Sequence, residues 1–160
     1  MNITFRTEIK ESDFKRIHEI IESTGFFYDY EIPVAVEIAV EAHRDGQEKS
    51  EYYFVFVEVD GVTVGYACYG PIACTKGSFD LYWIAVHNDY RNLKLGKLLL
   101  QKTHEALKKM GGRLIIAETS GTEKYAPTRK FYLNNGYIAE SIIKDFYLPG
   151  DDKYMFVFRL

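Results

Sequence analysis

The chain of 160 residues is poor in cysteine and proline and has no long apolar run. Its two cysteines, Cys68 and Cys74, sit six apart in one strand-like stretch. They can form neither a disulfide framework nor a zinc set, which fits a reducing compartment and predicts a cytoplasmic protein. Only four prolines and no repeat exclude collagen-like and proline-rich disordered chains. No stretch approaches the roughly 18 apolar residues of a membrane span, and the opening MNITFRTEIK alternates polar with apolar. Neither a transmembrane helix nor a signal peptide is expected. Positive charge is not in excess either. Twenty basic residues face 23 acidic ones, a net charge of −3. Duplex nucleic-acid binders are usually basic with a clustered patch, so composition argues against such a partner. Aromatics, in contrast, are plentiful: 13 Tyr, 11 Phe and one Trp in a chain that is 47% hydrophobic and 27% charged. A large, well-anchored core is therefore available. The length is that of one domain, spanning residues 1–160.

Periodicity supplies the element order. Ile3 to Ile9 alternates with period two and reads as a strand. Ser12 opens a helix whose face carries Phe14, Ile17, Ile20 and Ile21, with Gly25 as its stop. A second helix is expected from about Asp29 to Arg44, with Val36, Ala39 and Val40 inward and Pro33 in its first turn. Between them lies Phe26-Phe27-Tyr28, which is either a core plug or a binding lip. Tyr52–Val59 and Val62–Cys74 read as strands split by Asp60-Gly61, a hairpin signal. Phe79–Val86 is another strand. A helix from Leu95 to Met110 carries Leu95, Leu99, Thr103, Ala106 and Met110 on one stripe. Leu114-Ile115-Ile116-Ala117 reads as a strand buried on both faces. Pro127 starts a short helix that Gly136 ends. Tyr137–Phe146 and Lys153–Leu160 are the last strands, joined through Pro149-Gly150-Asp151-Asp152. The result is an α/β domain in which a central βαβ unit makes one parallel pair and hairpins make the rest antiparallel.

Chemistry concentrates after the strand ending at Val86. The first amides of the following helix lack internal acceptors and, with its dipole, favour an anion such as a phosphate. Arg91, Lys94 and Lys97 add positive charge there, and Gly96 allows close approach to the backbone. A nucleotide P-loop is excluded, because Arg91 and Leu98 occupy positions that need Gly and Ser or Thr. Asp80, Tyr82, Ile84 and Val86 share one face of their strand by alternation.

Val86, Asn88, Tyr90, Arg91, Lys94 and Gly96 resemble the V-x-P-x-[YF]-[RQ]-x-x-G-x-[GA] signature of the GNAT superfamily of acyl-CoA-dependent N-acetyltransferases. Asn88 replaces the usual Pro and Lys94 the first Gly. A second stretch, Tyr125 to Tyr137, resembles N-x-x-A-x-x-[FL]-Y-x-x-x-G-[FY] in Phe131, Tyr132, Gly136 and Tyr137, with Tyr125 and Thr128 standing where Asn and Ala are common. The resemblance covers the whole chain, and the tail Asp145 to Asp152 is similar to a subgroup of the family.

This resemblance implies the GNAT fold, a mixed and mostly antiparallel sheet with about four helices, whose parallel strands splay to admit pantetheine. It places that splay between Ile84–Val86 and Leu114–Glu118. It implies acetyl-CoA as acyl-donor co-substrate and no metal. Ile84, Ala85 and Val86 would hold pantetheine. Arg91, Asn92, Leu93, Lys94, Leu95, Gly96 and Lys97 would hold the pyrophosphate, with Tyr125, Thr128 and Phe131 also on the cofactor. Tyr132 stands where the family often carries its general acid, Asp80 where some members carry a carboxylate base, and Glu118 ends the next strand as a second base candidate. Phe26, Phe27, Tyr28, Asp29, Glu31, Asp151 and Asp152 would line the acceptor side, where carboxylates beside aromatics suit a cationic amine. The expected reaction is acetyl transfer to a primary amine of a small molecule or peptide by direct attack in a ternary complex. Neither cysteine has a histidine placed near it by sequence, so an acyl-enzyme is disfavoured. The rivals are a non-catalytic acyl-CoA sensor and a protein-interaction domain using the aromatic lip. The expected assembly is a monomer or homodimer.

Overall fold

The computed structural model describes residues 1–160. The elements are β1 (Ile3–Arg6), α1 (Asp13–Ser23), α2 (Glu31–Asp45), α3 (Gln47–Ser50), β2 (Tyr53–Val59), β3 (Val62–Pro71), β4 (Ser78–Val86), α4 (Leu95–Lys109), β5 (Leu114–Ser120), α5 (Ala126–Asn134), β6 (Ile138–Leu148) and β7 (Asp151–Arg159). Short 3-10 turns cover Asn88–Leu93 and Glu123–Tyr125. The seven strands form one sheet in the order β1-β2-β3-β4-β5-β7-β6. β4 and β5 are parallel, and their registered pairs are Ser78↔Leu114, Phe79↔Ile115 and Asp80↔Ile116. The pairs β1–β2, β2–β3, β5–β7 and β6–β7 are antiparallel. This is the mixed α/β architecture expected.

Contacts gather the chain into two compact units. The first is Met1–Gly70 with Tyr82–Ala106, the second Pro71–Leu81 with Leu107–Leu160. In the first, α1 buries Ile17, Ile20 and Ile21 on the face that periodicity marks, and Phe54, Phe56 and Tyr66 stack beneath. The hairpin turn works because Asp60 and Gly61 both take positive φ, at 49° and 82°. β3 then passes close to β4: a Cβ on Gly65 would meet Ala85 O at 3.0 Å, and His87 N donates to Val64 O at 2.7 Å.

Several sequence expectations shift. α2 turns Ile32, Ala35, Ala39 and Ala42 inward, while Val40 is exposed. The small alanines let the helix lie close to a sheet face already filled by phenylalanines. α4 buries Leu95, Leu99, Leu100, Thr103 and Leu107, and Met110 is exposed. Leu107, one turn after Thr103, is the last buried position of the stripe, because the helix ends at Lys109 and Met110 falls in the turn beyond it. β3 ends at Pro71, so Cys74 lies exposed in the loop while Cys68 is buried in the strand, and both are free. β5 alternates rather than burying both faces: Ile115 and Ala117 are buried, Leu114 and Ile116 only partly.

The second unit pins its loops with glycine and arginine. A Cβ on Gly121 would stand 2.8 Å from the Tyr154 ring. Arg129 donates to the carbonyls of Ser120 and Thr122 at 2.8 and 2.7 Å and lies over the Tyr154 ring. Those bonds hold the segment joining β5 to α5. Pro127 sits in the first turn of α5, where its missing N–H costs nothing.

Candidate active site

The segment Val86 to Lys97 is organised from its backbone. His87 caps the 3-10 turn, its Nδ1 accepting from Asp89 N at 3.2 Å, and Asn88 N donates to Ser23 Oγ at 3.0 Å. His87 is thus a structural cap. Lys94 takes φ +56° and ψ +26°, the left-handed conformation that Gly supplies at the matching position of the motif. The change from Gly to Lys therefore keeps the loop geometry and adds a cation. Leu95 and Gly96 open α4, where amides have no helical acceptor. Arg91, Lys94 and Lys97 are exposed and enter no ion pair, so their charge is free for a ligand. Asn92 is exposed and Leu93 half-buried in the same turn.

β4 shows the expected alternation. Phe79, Leu81 and Ala85 are buried, whereas Asp80, Ile84 and Val86 are half-buried and Tyr82 is exposed. Asp80 makes no hydrogen bond or ion pair. Partial burial pushes its carboxyl pKa up, the Glu118 charge pushes it further, and Lys153 opposes both. Glu118 is bound by Lys153, Nζ to Oε2 at 2.7 Å, and the Lys153 ammonium also lies 4.2 Å from the centre of the Phe146 ring. Lys153 is only 12% exposed, against 40% for Glu118. The mostly buried Lys153 thus pairs with Glu118 directly and acts on the Asp80 carboxyl only through its charge. The sequence contained Lys153 but no local sign of its partner, because the contact comes from the antiparallel β5–β7 ladder.

Tyr132 lies in α5, 5% exposed, with its ring against Phe131, Tyr137 and Phe156 at centroid distances of 5.4, 5.1 and 5.6 Å. Its contacts are aromatic, and its hydroxyl hydrogen-bonds no protein atom. Burial raises its pKa, so it stays protonated at any working pH. Phe131 and Thr128 lie on the same helix, and Tyr125 caps its start. Buried Thr119, at the end of β5, has a hydroxyl without a partner.

The acceptor-side residues divide. Phe27 packs on the core and against Trp83 at 5.1 Å, with Phe26 edge-on to it, so these two are mainly a plug. Tyr28 and Tyr30 are exposed and stacked, rings 5.4 Å apart and 8° from parallel. Tyr30, not singled out from sequence, completes that lip. Of the four carboxylates expected to stand free, only Asp29 does. Glu31, the first residue of α2, reaches back to accept the Tyr28 amide at 2.7 Å. Asp151 and Asp152 belong to β7 rather than to the turn, which is Pro149-Gly150. Asp151 accepts from Ser120 Oγ at 2.5 Å. Asp152 accepts from Asp145 N and pairs with Lys144, each at 3.0 Å, and these bonds hold its pKa below the usual range.

No cluster of His, Cys, Asp and Glu could hold a metal ion, and no helix is long and apolar enough to cross a membrane.

A family model for the acetyltransferase (GNAT) domain matches residues 50–139. A GNAT-family protein of Desulfovibrio desulfuricans has a crystal structure that superposes with a TM-score of 0.95 at 42% identity, covering 99% of both chains. The ribosomal-protein-S18-alanine N-acetyltransferase of Escherichia coli matches with a TM-score of 0.72 at 17% identity, over 99% of this chain and 94% of that one. The PaiA N-acetyltransferase of Thermoplasma acidophilum, solved with coenzyme A, matches with a TM-score of 0.70 at 18% identity over the full length of both. No curated protein sequence matches the chain. These matches define an acyl-transferring class on a mixed α/β sheet. The chain belongs to the GNAT acetyltransferase family.

Proposed function

We propose that the protein transfers an acetyl group from acetyl-CoA to a primary amine, by direct attack in a ternary complex, in a reducing cytoplasmic setting. Acetyl-CoA supplies the thioester carbonyl that the amine attacks. The fit to this co-substrate rests on the start of α4. Left-handed Lys94, the first helix amides and the unpaired Arg91 and Lys97 form a cationic cradle suited to a pyrophosphate. The backbone of Ile84 to Val86 lies beyond the last registered β5 pair at Asp80, and we assign it to pantetheine. Tyr125, Thr128 and Phe131 are assigned to the cofactor on the strength of the second motif.

The observation that carries the chemistry is Asp80, a half-buried carboxylate with no hydrogen-bond partner and a raised pKa. An alkyl ammonium with pKa about 10.4 must lose a proton before it attacks, and a carboxylate whose proton affinity is raised is better matched to that task. Glu118 is the alternative base, although it is already engaged by the Lys153 ammonium at 2.7 Å. Tyr132 is assigned to the sulfur. Because its pKa is raised, full proton transfer to a thiolate is uphill, and hydrogen bonding to the departing sulfur is its role. On the acceptor side, Asp29 beside the Tyr28–Tyr30 stack is the pairing that suits a cation, with Phe26 and Phe27 shaping the loop behind it. Asp151 and Asp152 contribute position more than free charge, since both are already bonded within the chain.

An amine-acceptor screen that detects released thiol tests the reading. With an acceptor in hand, Asp80→Asn lowers kcat/KM by about 10²- to 10⁴-fold on the plateau. In the wild type, kcat/KM rises with pH through a midpoint above the ordinary carboxylate value, and that limb disappears in Asp80→Asn. Tyr132→Phe lowers kcat about 10- to 1,000-fold with acetyl-CoA affinity kept. Wild-type turnover in both variants overturns these assignments.

A further inference from the structure

The two carboxylates that compete for the role of base stand on one face of the sheet, and one lysine stands with them. Asp80 is the last residue of β4 in register with β5, where it is opposite Ile116. Side chains two residues apart on a strand share a face, so Glu118 follows Ile116 on the side that carries Asp80. Across the β5–β7 ladder Lys153 is opposite Ser120, two residues beyond Glu118 and on that same side. The order across β4, β5 and β7 is therefore carboxylate, carboxylate, ammonium. Lys153 reaches Glu118 along the diagonal of the ladder, Nζ to Oε2 at 2.7 Å, and lies 4.2 Å from the centre of the Phe146 ring of β6.

Like charges so placed compete for one proton, and the lysine makes the two unequal. A mostly buried ammonium needs a carboxylate close by, and Lys153, 12% exposed, has Glu118. That pairing engages Glu118 and leaves Asp80 without a hydrogen bond or ion pair. Beyond burial itself, the charges that act on Asp80 are Glu118, which raises its proton affinity, and Lys153, which lowers it. The surrounding strands add no further free charge. β3, the neighbour of β4 on the other side, has no charged residue, and burial pushes up its Tyr66, Cys68 and Tyr69. On β6, burial and then Glu118, Asp151 and Tyr125 push up the Tyr147 phenol, which is therefore neutral. Asp151 of β7 is engaged by Ser120.

We propose that Lys153 is a positioning residue of this site: its ammonium takes Glu118 as ion-pair partner and so leaves Asp80 as the carboxylate that receives the proton of the amine. This rests on the reading of Asp80 as base. Lys153 touches neither the amine nor the thioester in this role and acts only through the two carboxylates. The sign of its action follows from the geometry. Removing the ammonium takes an opposing cation away from Asp80, which then holds its proton more tightly. Removing the Glu118 charge instead takes away a like charge, and Asp80 then releases its proton more easily. Two changes to one ion pair thus move one carboxyl in opposite directions, which loss of packing does not do.

The test is a carbon-13 NMR titration of the side-chain carboxyls in the ligand-free full chain, with the Asp80 signal identified by its loss in Asp80→Asn. In Lys153→Met, which keeps the apolar stem against Phe146, Asp80 binds its proton about three- to ten-fold more tightly, the size expected when one charge is removed from a partly screened neighbour. In Glu118→Gln it binds its proton more weakly, by a similar factor. Lys153→Arg, which keeps the charge, returns Asp80 to within about twofold of wild type. With an amine acceptor in hand, the acid limb of kcat/KM in Lys153→Met moves to higher pH with the Asp80 midpoint. An unmoved Asp80 midpoint in Lys153→Met, or a shift that Lys153→Arg fails to restore, overturns the role of Lys153 while the loss of the limb in Asp80→Asn still supports the base. A limb that survives in Asp80→Asn overturns the base reading and the proposal with it.

Discussion

Two residues hold conformations or groups that their chemistry does not favour, and each makes a prediction. Lys94 is held left-handed, which costs a non-glycine residue about 1–2 kcal/mol, although glycine returns part of that through its freer unfolded chain. Lys94→Gly is therefore expected to leave thermal stability unchanged or slightly raised. It also removes one exposed cation from the proposed pyrophosphate cradle, so acetyl-CoA affinity falls about two- to five-fold, most clearly at low salt. Calorimetric titration at two ionic strengths separates the effects. Tyr66 is the second case. Its hydroxyl is fully buried beside Phe54 and Phe56 without a partner, and burial pushes its pKa far up. A buried unsatisfied hydroxyl costs roughly 1–3 kcal/mol, so Tyr66→Phe should stabilise the protein by about 1–2 kcal/mol in urea unfolding. A loss of stability would mean that the hydroxyl has found a partner after all.

At the scale of elements, the start of α1 is tied to β1 by charge rather than by a serine cap. Ser12 makes no side-chain cap. Asp13, 1% exposed, instead accepts from Lys10 N and takes both Nη atoms of Arg6 at 2.8 Å. Arg6 reaches on to Glu58 at 2.9 Å and lies 4.5 Å above the centre of the Phe56 ring. Despite partial burial, which works the other way, the hydrogen bonds to Asp13 and Glu58 raise the Arg6 pKa. Breaking such a pair strands a buried cation and costs about 3–5 kcal/mol. Asp13→Ala should therefore lose about that much in chemical denaturation, and Glu58→Ala clearly less, because Glu58 is 20% exposed and water can replace it. Equal losses would show that helix capping, rather than the ion pair, sets the energy. Gly70 works at the same scale by sterics, since a Cβ there would run into the Glu51 carbonyl oxygen and the Tyr82 ring.

For the molecule as a whole, ligand binding and stability are linked. If acetyl-CoA binds the folded chain alone, a hundredfold excess over its Kd adds about 2.7 kcal/mol. For a chain of this length that raises Tm by roughly 5–11 °C. Gly96→Glu puts a negative charge and a side chain into the proposed phosphate path and should abolish the shift while leaving the ligand-free Tm nearly unchanged. An undiminished shift in that variant would remove the start of α4 from the cofactor site.

Much of this architecture was legible in the chain itself. The α1 stripe, the Asp60-Gly61 hairpin, the Pro127 helix start and the alternation that sets Asp80 apart from Phe79 and Leu81 all depend on neighbours within about four residues. Local sterics and side-chain spacing decide such features before any tertiary contact forms. The tertiary structure decided which nominated groups are free. Glu31 is consumed by the Tyr28 amide only three residues away, but Asp151 is engaged by Ser120, 31 residues distant, and Glu118 by Lys153, 35 residues distant. Those partnerships follow from the β5–β7 register, and a strand's own sequence carries no record of the residue that will face it. The same limit hid β6. Its alternating, apolar-rich sequence reads as a half-buried strand, and only its place at the end of the sheet leaves every residue of it facing outward.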